Sequence, residues 1–238
     1  MLKAEDVKSL MVSKENEIVE AVREAYEAHS LGQSSLPHST FLRFKDKPRN
    51  RIIAMPSYLG GDGQVAGVKW IASFPDNVER AMERASAVLV LNSTSTGRSE
   101  ALREASQIRA MRTAASAALA ARSLAVRGET ACLGLVGCGV INFEVLRFLR
   151  VLLGSPARLK VFDSKTANAA SFLDKCASML NGVEQEVATN LEEIAAECDL
   201  ARKERIGTRL RNFFLVTSPL FTLKYGTEAL FPSYIGSY

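Results

Sequence analysis

The sequence predicts an α/β protein: a mostly antiparallel sheet preceded by one helix, then an incomplete parallel sheet laid down as alternating strands and helices. Three observations carry this reading. Strand-length runs separated by turn residues crowd the stretch from Ser39 to Leu91. An alanine- and leucine-rich stretch without proline or glycine follows, from Glu100 to Arg127. From Cys132 to Glu197 strand and helix patterns alternate, the order that builds parallel sheets through right-handed crossovers.

Taken in order, Ile18, Val22, Ala25, Tyr26 and His29 recur at helical spacing between Ser13 and Ser30, and Gly32 can end that helix. His29 on this face reads as a core or boundary residue rather than a ligand. Strands are expected over Ser39 to Phe44, Arg51 to Met55, Val65 to Phe74 and Ala87 to Leu91, with turns at Lys47-Pro48, Gly60 to Gly63 and Thr96-Gly97. Glu100 to Arg127 is expected as one long helix, because alanine and leucine are strong helix formers. The second half then reads as strand Cys132 to Val136, helix Ile141 to Leu153, strand Arg158 to Phe162, helix Thr166 to Leu180, strand Val183 to Ala188 and helix Leu191 to Glu197. This divides the chain into an α+β domain over 1–112 and an incomplete parallel α/β domain over 113–238.

Composition narrows the function classes. With 47% hydrophobic residues among 238, the chain can build a packed core. Thirty basic against 26 acidic residues give a net charge of only +4, far from the concentrated positive surface that a nucleic-acid partner requires. No stretch of about 18 uninterrupted apolar residues exists, and Met1 to Asp6 lacks a basic region followed by an apolar core, so a cytoplasmic protein without a membrane partner is expected. Cys132, Cys138, Cys176 and Cys198 form no C-x-x-C pair, and only His29 and His38 could complete a metal site, so reduced structural thiols and no metal are expected.

The most informative segment is the apolar run Cys132 to Val136 that breaks into Gly137-Cys138-Gly139 and continues as Val140-Ile141-Asn142-Phe143-Glu144. A tight glycine turn lets the backbone approach a pyrophosphate, and the unpaired N–H groups of the following helix start hold it. Val161-Phe162-Asp163 closes the second strand with a carboxylate, where the ribose hydroxyls of a dinucleotide need an acceptor. An ordinary structural turn is the plainer alternative, and Asn142 stands where a third glycine is usual. Strand, helix and terminal acid in register favour the cofactor reading, with Gly137, Gly139, Val140, Ile141, Asn142 and Asp163 as the binding residues. A carboxylate at 163 repels a 2′-phosphate, which points to NAD rather than NADP, a preference that Lys165 weakens slightly.

Beyond this motif, Arg51 to Pro56, Gly67-Val68-Lys69-Trp70, Ser73 to Asn77, Arg84 to Ala87, Met111-Arg112-Thr113-Ala114-Ala115-Ser116 and Gly137 to Glu144 resemble the ornithine cyclodeaminase/mu-crystallin family, and within it the diaminopropionate-biosynthesis branch. The resemblance covers about Arg51 to Asp199. It implies a Rossmann-type nucleotide domain beside a substrate-binding domain that dimerises through its sheet. It also implies NAD-dependent oxidation and cleavage of amino-carboxyethyl-glutamate to diaminopropionate and 2-oxoglutarate, a step toward siderophores or peptide antibiotics. Ornithine cyclodeaminase and an imino-acid reductase are the alternatives within the family. By the same resemblance Arg51, Lys69 and Arg112 contact the substrate carboxylate and Thr113 a cofactor phosphate. A fixed cationic clamp suits an α-carboxylate held while hydride leaves. No segment matches the family's catalytic acid/base. Arg98-Ser99 and Arg109 are smaller departures from the family pattern.

The segment 201–238 departs in character, with a basic run from Arg202 to Arg211 and then Phe213, Phe214, Phe221, Tyr225, Phe231, Tyr234 and Tyr238. An altered reading frame or truncated gene is one expectation for it, with a catalytically inactive NAD-binding remnant as its functional counterpart. If the sheet lacks its next strand, one edge of the strand Cys132 to Val136 is bare, and Phe213 to Val216 could pair there.

Overall fold

Two helices, rather than the single one expected, open the chain: α1 (Ala4–Met11) and α2 (Glu15–Ser30). Asp6 accepts the Lys3 N–H at 2.9 Å and starts α1, which buries only Val7. One buried side chain in eight residues leaves little periodicity to read. On α2 the Lys14–Glu17 pair and the contacts of Arg23 with Glu20 and Glu27 line the solvent side, while Val19 faces inward. His29 contacts the Ser34 hydroxyl. This computed structural model describes residues 2–61, 63–124, 131–198 and 215–216. The chain divides into two compact units, Met1–Ala110 and Met111–Tyr238.

The first unit holds a six-stranded antiparallel sheet of β1 (Ser34–Ser35), β2 (Thr40–Phe44), β3 (Lys47–Leu59), β4 (Val65–Ser73), β5 (Ala85–Asn92) and β6 (Ser99–Glu104). The order is β1-β3-β4-β5-β6, with β2 also paired to β3. β3 is much longer than the expected Arg51 to Met55, because β1, β2 and β4 together supply partners along its whole length. β6 is the larger correction, since Glu100 to Glu104 was expected as helix. It pairs with β5 through Leu89↔Arg103 and Val90↔Leu102, and Leu2 bridges its other edge. The ladder overrides helical propensity. Helix α3 (Ser106–Leu124) begins only afterwards, where the Glu104 carboxylate accepts the Ser106 N–H at 2.6 Å. The expected continuation of this helix to Arg127 lies outside the described residues.

The second unit is the Rossmann-like part: β7 (Cys132–Val136), α4 (Val140–Leu153), β8 (Arg158–Phe162), α5 (Thr166–Cys176), β9 (Glu184–Val187), α6 (Leu191–Glu197) and β10 (Leu215–Val216), with a parallel sheet in the order β10-β7-β8-β9. The expected strand and helix bounds hold to within a few residues, except that Ala177–Met179 forms a separate 3-10 turn after α5. Leu215–Val216 runs parallel to β7 on the edge that would otherwise be bare. The basic run and the remaining aromatic residues of the tail lie outside the described residues. One sheet face is apolar, with Leu133, Leu135, Leu159 and Val161 buried. The other receives α6 at close range: a Cβ on Gly134 would stand 2.6 Å from Ile194 Cγ2 and 2.9 Å from Cys198 Sγ. The overall class is therefore α/β, as the sequence predicts. All four cysteines are free thiols. No described helix is long and apolar enough to cross a membrane.

Lys160, beside Gly134 in the sheet, is a charged side chain only 1% exposed. Its ammonium lies 2.8 Å from Glu193, 2.6 Å from Glu197 and 3.1 Å from Glu186, which ties β8 to β9 and α6. Burial disfavours the cation, yet the three carboxylates outweigh burial and raise its pKa. The Lys160 hydrogen bond, with those from Thr189, lowers Glu193 to about 2. A depressed carboxylate contributes stability above its ordinary pKa and loses it as pH falls through the native value. Lys160→Met, which leaves Glu193 without its cation and Glu186 and Glu197 with only the more distant Arg158, is expected to cost about 3 kcal/mol, the low end for a broken buried pair because the carboxylates stay partly hydrated. Urea unfolding followed by circular dichroism should show the wild-type stability falling from about pH 4.5 toward pH 2, and that acid limb should flatten in the variant.

Candidate functional site

β7 and β8 end side by side, with Val136 opposite Phe162, so the glycine turn and Asp163 leave the sheet as neighbours. Gly137 has φ +88°, a left-handed conformation that side chains rarely adopt, and its N–H donates to the Phe162 carbonyl at 2.7 Å. The Cys138 N–H donates to Asp163 Oδ2 at 2.9 Å, fastening the turn to the acid. Gly139 then caps α4 from an extended conformation with no side-chain cap, and a Cβ added there would meet nothing within 4 Å. Val140 is 60% exposed and the first turn holds no acidic residue. An open helix start with unshielded N–H groups is the standard seat for a diphosphate.

Asn142 acts on the inside of this turn. Its Nδ2 donates to the carbonyls of Val136 (2.8 Å) and Gly137, and the residue is 1% exposed. The carboxamide braces the turn from below, which explains why a third glycine is dispensable here. Its side chain faces the loop it supports, whereas Gly137, Gly139, Val140 and Ile141 present backbone at the helix start.

Asp163 is half-buried. Burial opposes its ionisation, but the N–H groups of Cys138 and Lys165 and the Asn168 amide, with the Lys165 charge, hold the carboxyl below its usual range. The group is thus an anion at neutral pH, with acceptor capacity left for hydroxyls.

In the first unit Arg51 and Lys69 stand on one face of the sheet, Arg51 opposite Ser73 and Lys69 between Met55 and Leu89. Arg51 Nε is buried without a hydrogen-bond partner among the described residues. Arg112 and Thr113 lie on α3, Arg112 exposed and Thr113 half-buried. The sequence reading missed Arg103, which shares the face of Arg51 and Lys69. A helix over Glu100 to Arg127 concealed the alternation that places it there.

The sequence model of the ornithine cyclodeaminase/mu-crystallin family matches residues 1–201. The chain belongs to this family. Among family relatives, the N-((2S)-2-amino-2-carboxyethyl)-L-glutamate dehydrogenase of Staphylococcus aureus is 39% identical over 163 residues, covering 66% of this chain and 48% of the relative. The alanine dehydrogenase of Archaeoglobus fulgidus is 30% identical over 200 residues, covering 84% and 58% respectively. The chain therefore spans about half the length of these curated relatives. Among solved structures, the Thermococcus litoralis Δ1-pyrroline-2-carboxylate reductase in complex with NADH and L-proline superposes with a TM-score of 0.75 at 27% identity, covering 83% of this chain and 59% of that one. An archaeal alanine dehydrogenase dimer with bound NAD gives 0.71 at 30% identity, covering 82% and 57%.

Asn142→Ala removes both donors that brace the turn. It is expected to lower stability by about 1–3 kcal/mol, as for lost buried hydrogen bonds, read as a shifted midpoint in urea unfolding.

Proposed function

We propose that this chain works as an NAD-dependent dehydrogenase of N-(amino-carboxyethyl)-glutamate, releasing diaminopropionate and 2-oxoglutarate for siderophore or peptide-antibiotic assembly. The observation that carries the reading is the 39% identity to the Staphylococcus aureus dehydrogenase, joined to a glycine turn and acid built as a dinucleotide site. The residues fit that cofactor: Gly137, Gly139, Val140 and Ile141 offer open backbone to the diphosphate, Asn142 braces them, and ionised Asp163 accepts from the ribose hydroxyls and repels a 2′-phosphate. Thr113 is assigned to a cofactor phosphate.

NAD, when bound, supplies the hydride acceptor. Arg51, Lys69 and Arg112 hold the substrate carboxylate, so that the α-carbon C–H is oriented as its hydride leaves. The electron pair of the amine nitrogen forms the imine, a proton departs, and water adds to release the primary amine and the oxo acid. The second sheet face supports a homodimer: Leu42, Tyr58, Trp70 and Leu102 stand on it, from 38% to 49% exposed, an apolar surface that a second copy can cover. Four free thiols accord with a reducing, cytoplasmic setting.

Purified chain incubated with NAD and the amino-carboxyethyl substrate should generate reduced nicotinamide, with at least tenfold lower kcat/KM for alanine and, by product detection, for ornithine. Arg51→Gln should lower kcat/KM about a hundredfold, as expected for a lost charge-assisted carboxylate contact of roughly 3 kcal/mol. Preference for ornithine or an imino acid would select the cyclodeaminase or reductase alternative, and NAD binding without turnover would select the inactive one. Trp70→Glu should convert a dimer to a monomer in sedimentation velocity.

A further inference from the structure

The pleat of the N-terminal sheet sorts charge completely. Cross-strand pairing places Arg43, Arg51, Lys69 and Arg103 on one face, in the company of Ile53, Met55, Ile71, Ala87 and Leu89 and with no acidic residue in its strand positions. Arg43 lies directly opposite Arg51, a like-charge pair that costs stability unless an anion offsets it. Lys69, Leu89 and Arg103 form one cross-strand row, so Lys69 and Arg103 stand two strand spacings apart, about 10 Å between their Cα atoms.

Arg103 is held firmly in place. Its strand is fixed on both edges, by β5 and by Leu2, whose N–H donates to the Leu102 carbonyl while its own carbonyl accepts the Glu104 N–H. Its Nε is buried without a hydrogen-bond partner among the described residues, as is that of Arg51. The adjacent acid, Glu104, is spent on the start of α3, accepting the N–H groups of Ser106 and Gln107. A half-buried guanidinium with no ion pair among the described residues gains from a ligand anion.

We propose that Arg103 is a specificity-determining residue that binds a second carboxylate of the substrate, one displaced by several bonds from the carboxylate held by Arg51 and Lys69. The inference rests on the proposed dehydrogenase reading and deepens it: a substrate built from a carboxyethyl group on glutamate carries three carboxylates, whereas alanine and ornithine carry one.

Two readouts separate the inference from the reading beneath it. Turnover of the amino-carboxyethyl substrate with NAD reports on the reaction. Calorimetric titration of the full chain, saturated with NAD, with 2-oxoglutarate and with pyruvate reports on Arg103. Wild type should bind the dicarboxylate at least tenfold more tightly, Arg103→Leu should erase that preference while keeping pyruvate affinity within about twofold, and Arg103→Lys should restore part of it. A preference that survives in Arg103→Leu, or wild type that does not distinguish the two acids, overturns the inference whatever the turnover result. Loss of pyruvate affinity in Arg103→Leu together with a changed circular dichroism spectrum would trace to misfolding, and Arg103→Lys then decides: a preference weaker than that of wild type supports the subsite, one equal to it refutes it.

Discussion

The parallel register of β7 on β8 is the constraint from which the nucleotide half follows. With Val136 set against Phe162, the first residue beyond each strand meets the other: Gly137 donates to the Phe162 carbonyl and Cys138 to Asp163. A slip of one residue would displace the acid by about 3.3 Å and turn every side chain of the strand to the opposite face. The turn would lose its anchor. The same register sets Gly134 beside Lys160, so the strand face that lets α6 approach also carries the buried cation that α6 binds through Glu193 and Glu197. The cofactor-side geometry and the ion cluster are two consequences of one alignment, read at the strand end and at the strand centre.

The antiparallel half solves a different problem, that of a sheet with two unlike faces. Period-two alternation sends arginine and lysine to one side and Leu42, Tyr58, Trp70 and Leu102 to the other. The charged side gains most from an anion, and the apolar side from cover by another surface. Neither property exists in a single strand, because each face is assembled from residues of several paired strands.

Asn142 illustrates how a departure from a motif is absorbed. A glycine third in the turn allows close packing of helix on strand, and the asparagine here instead hydrogen-bonds the carbonyls of the turn beneath it. Its Oδ1 is left buried and without a partner among the described residues, the cost of that solution.

Much of the nucleotide half was legible from the sequence alone. The bounds of β7, β8 and α6 follow from apolar runs cut by glycine and by charged or capping residues such as Asn190, and these signals are local. The glycine turn and Asp163 were legible for the same reason: backbone freedom and a strand-end acid are properties of short segments. The first half was less legible. Ser99 to Glu104 has the composition of a helix, and only hydrogen bonds from the preceding strand β5 on one edge and from Leu2, at the far end of the chain, on the other hold it extended. Arg103 therefore had no face until that pairing existed. Local chemistry determined which residues can turn, cap or carry charge; tertiary pairing alone decided which of them stand together, because side-chain direction in a sheet depends on a register that no isolated strand possesses.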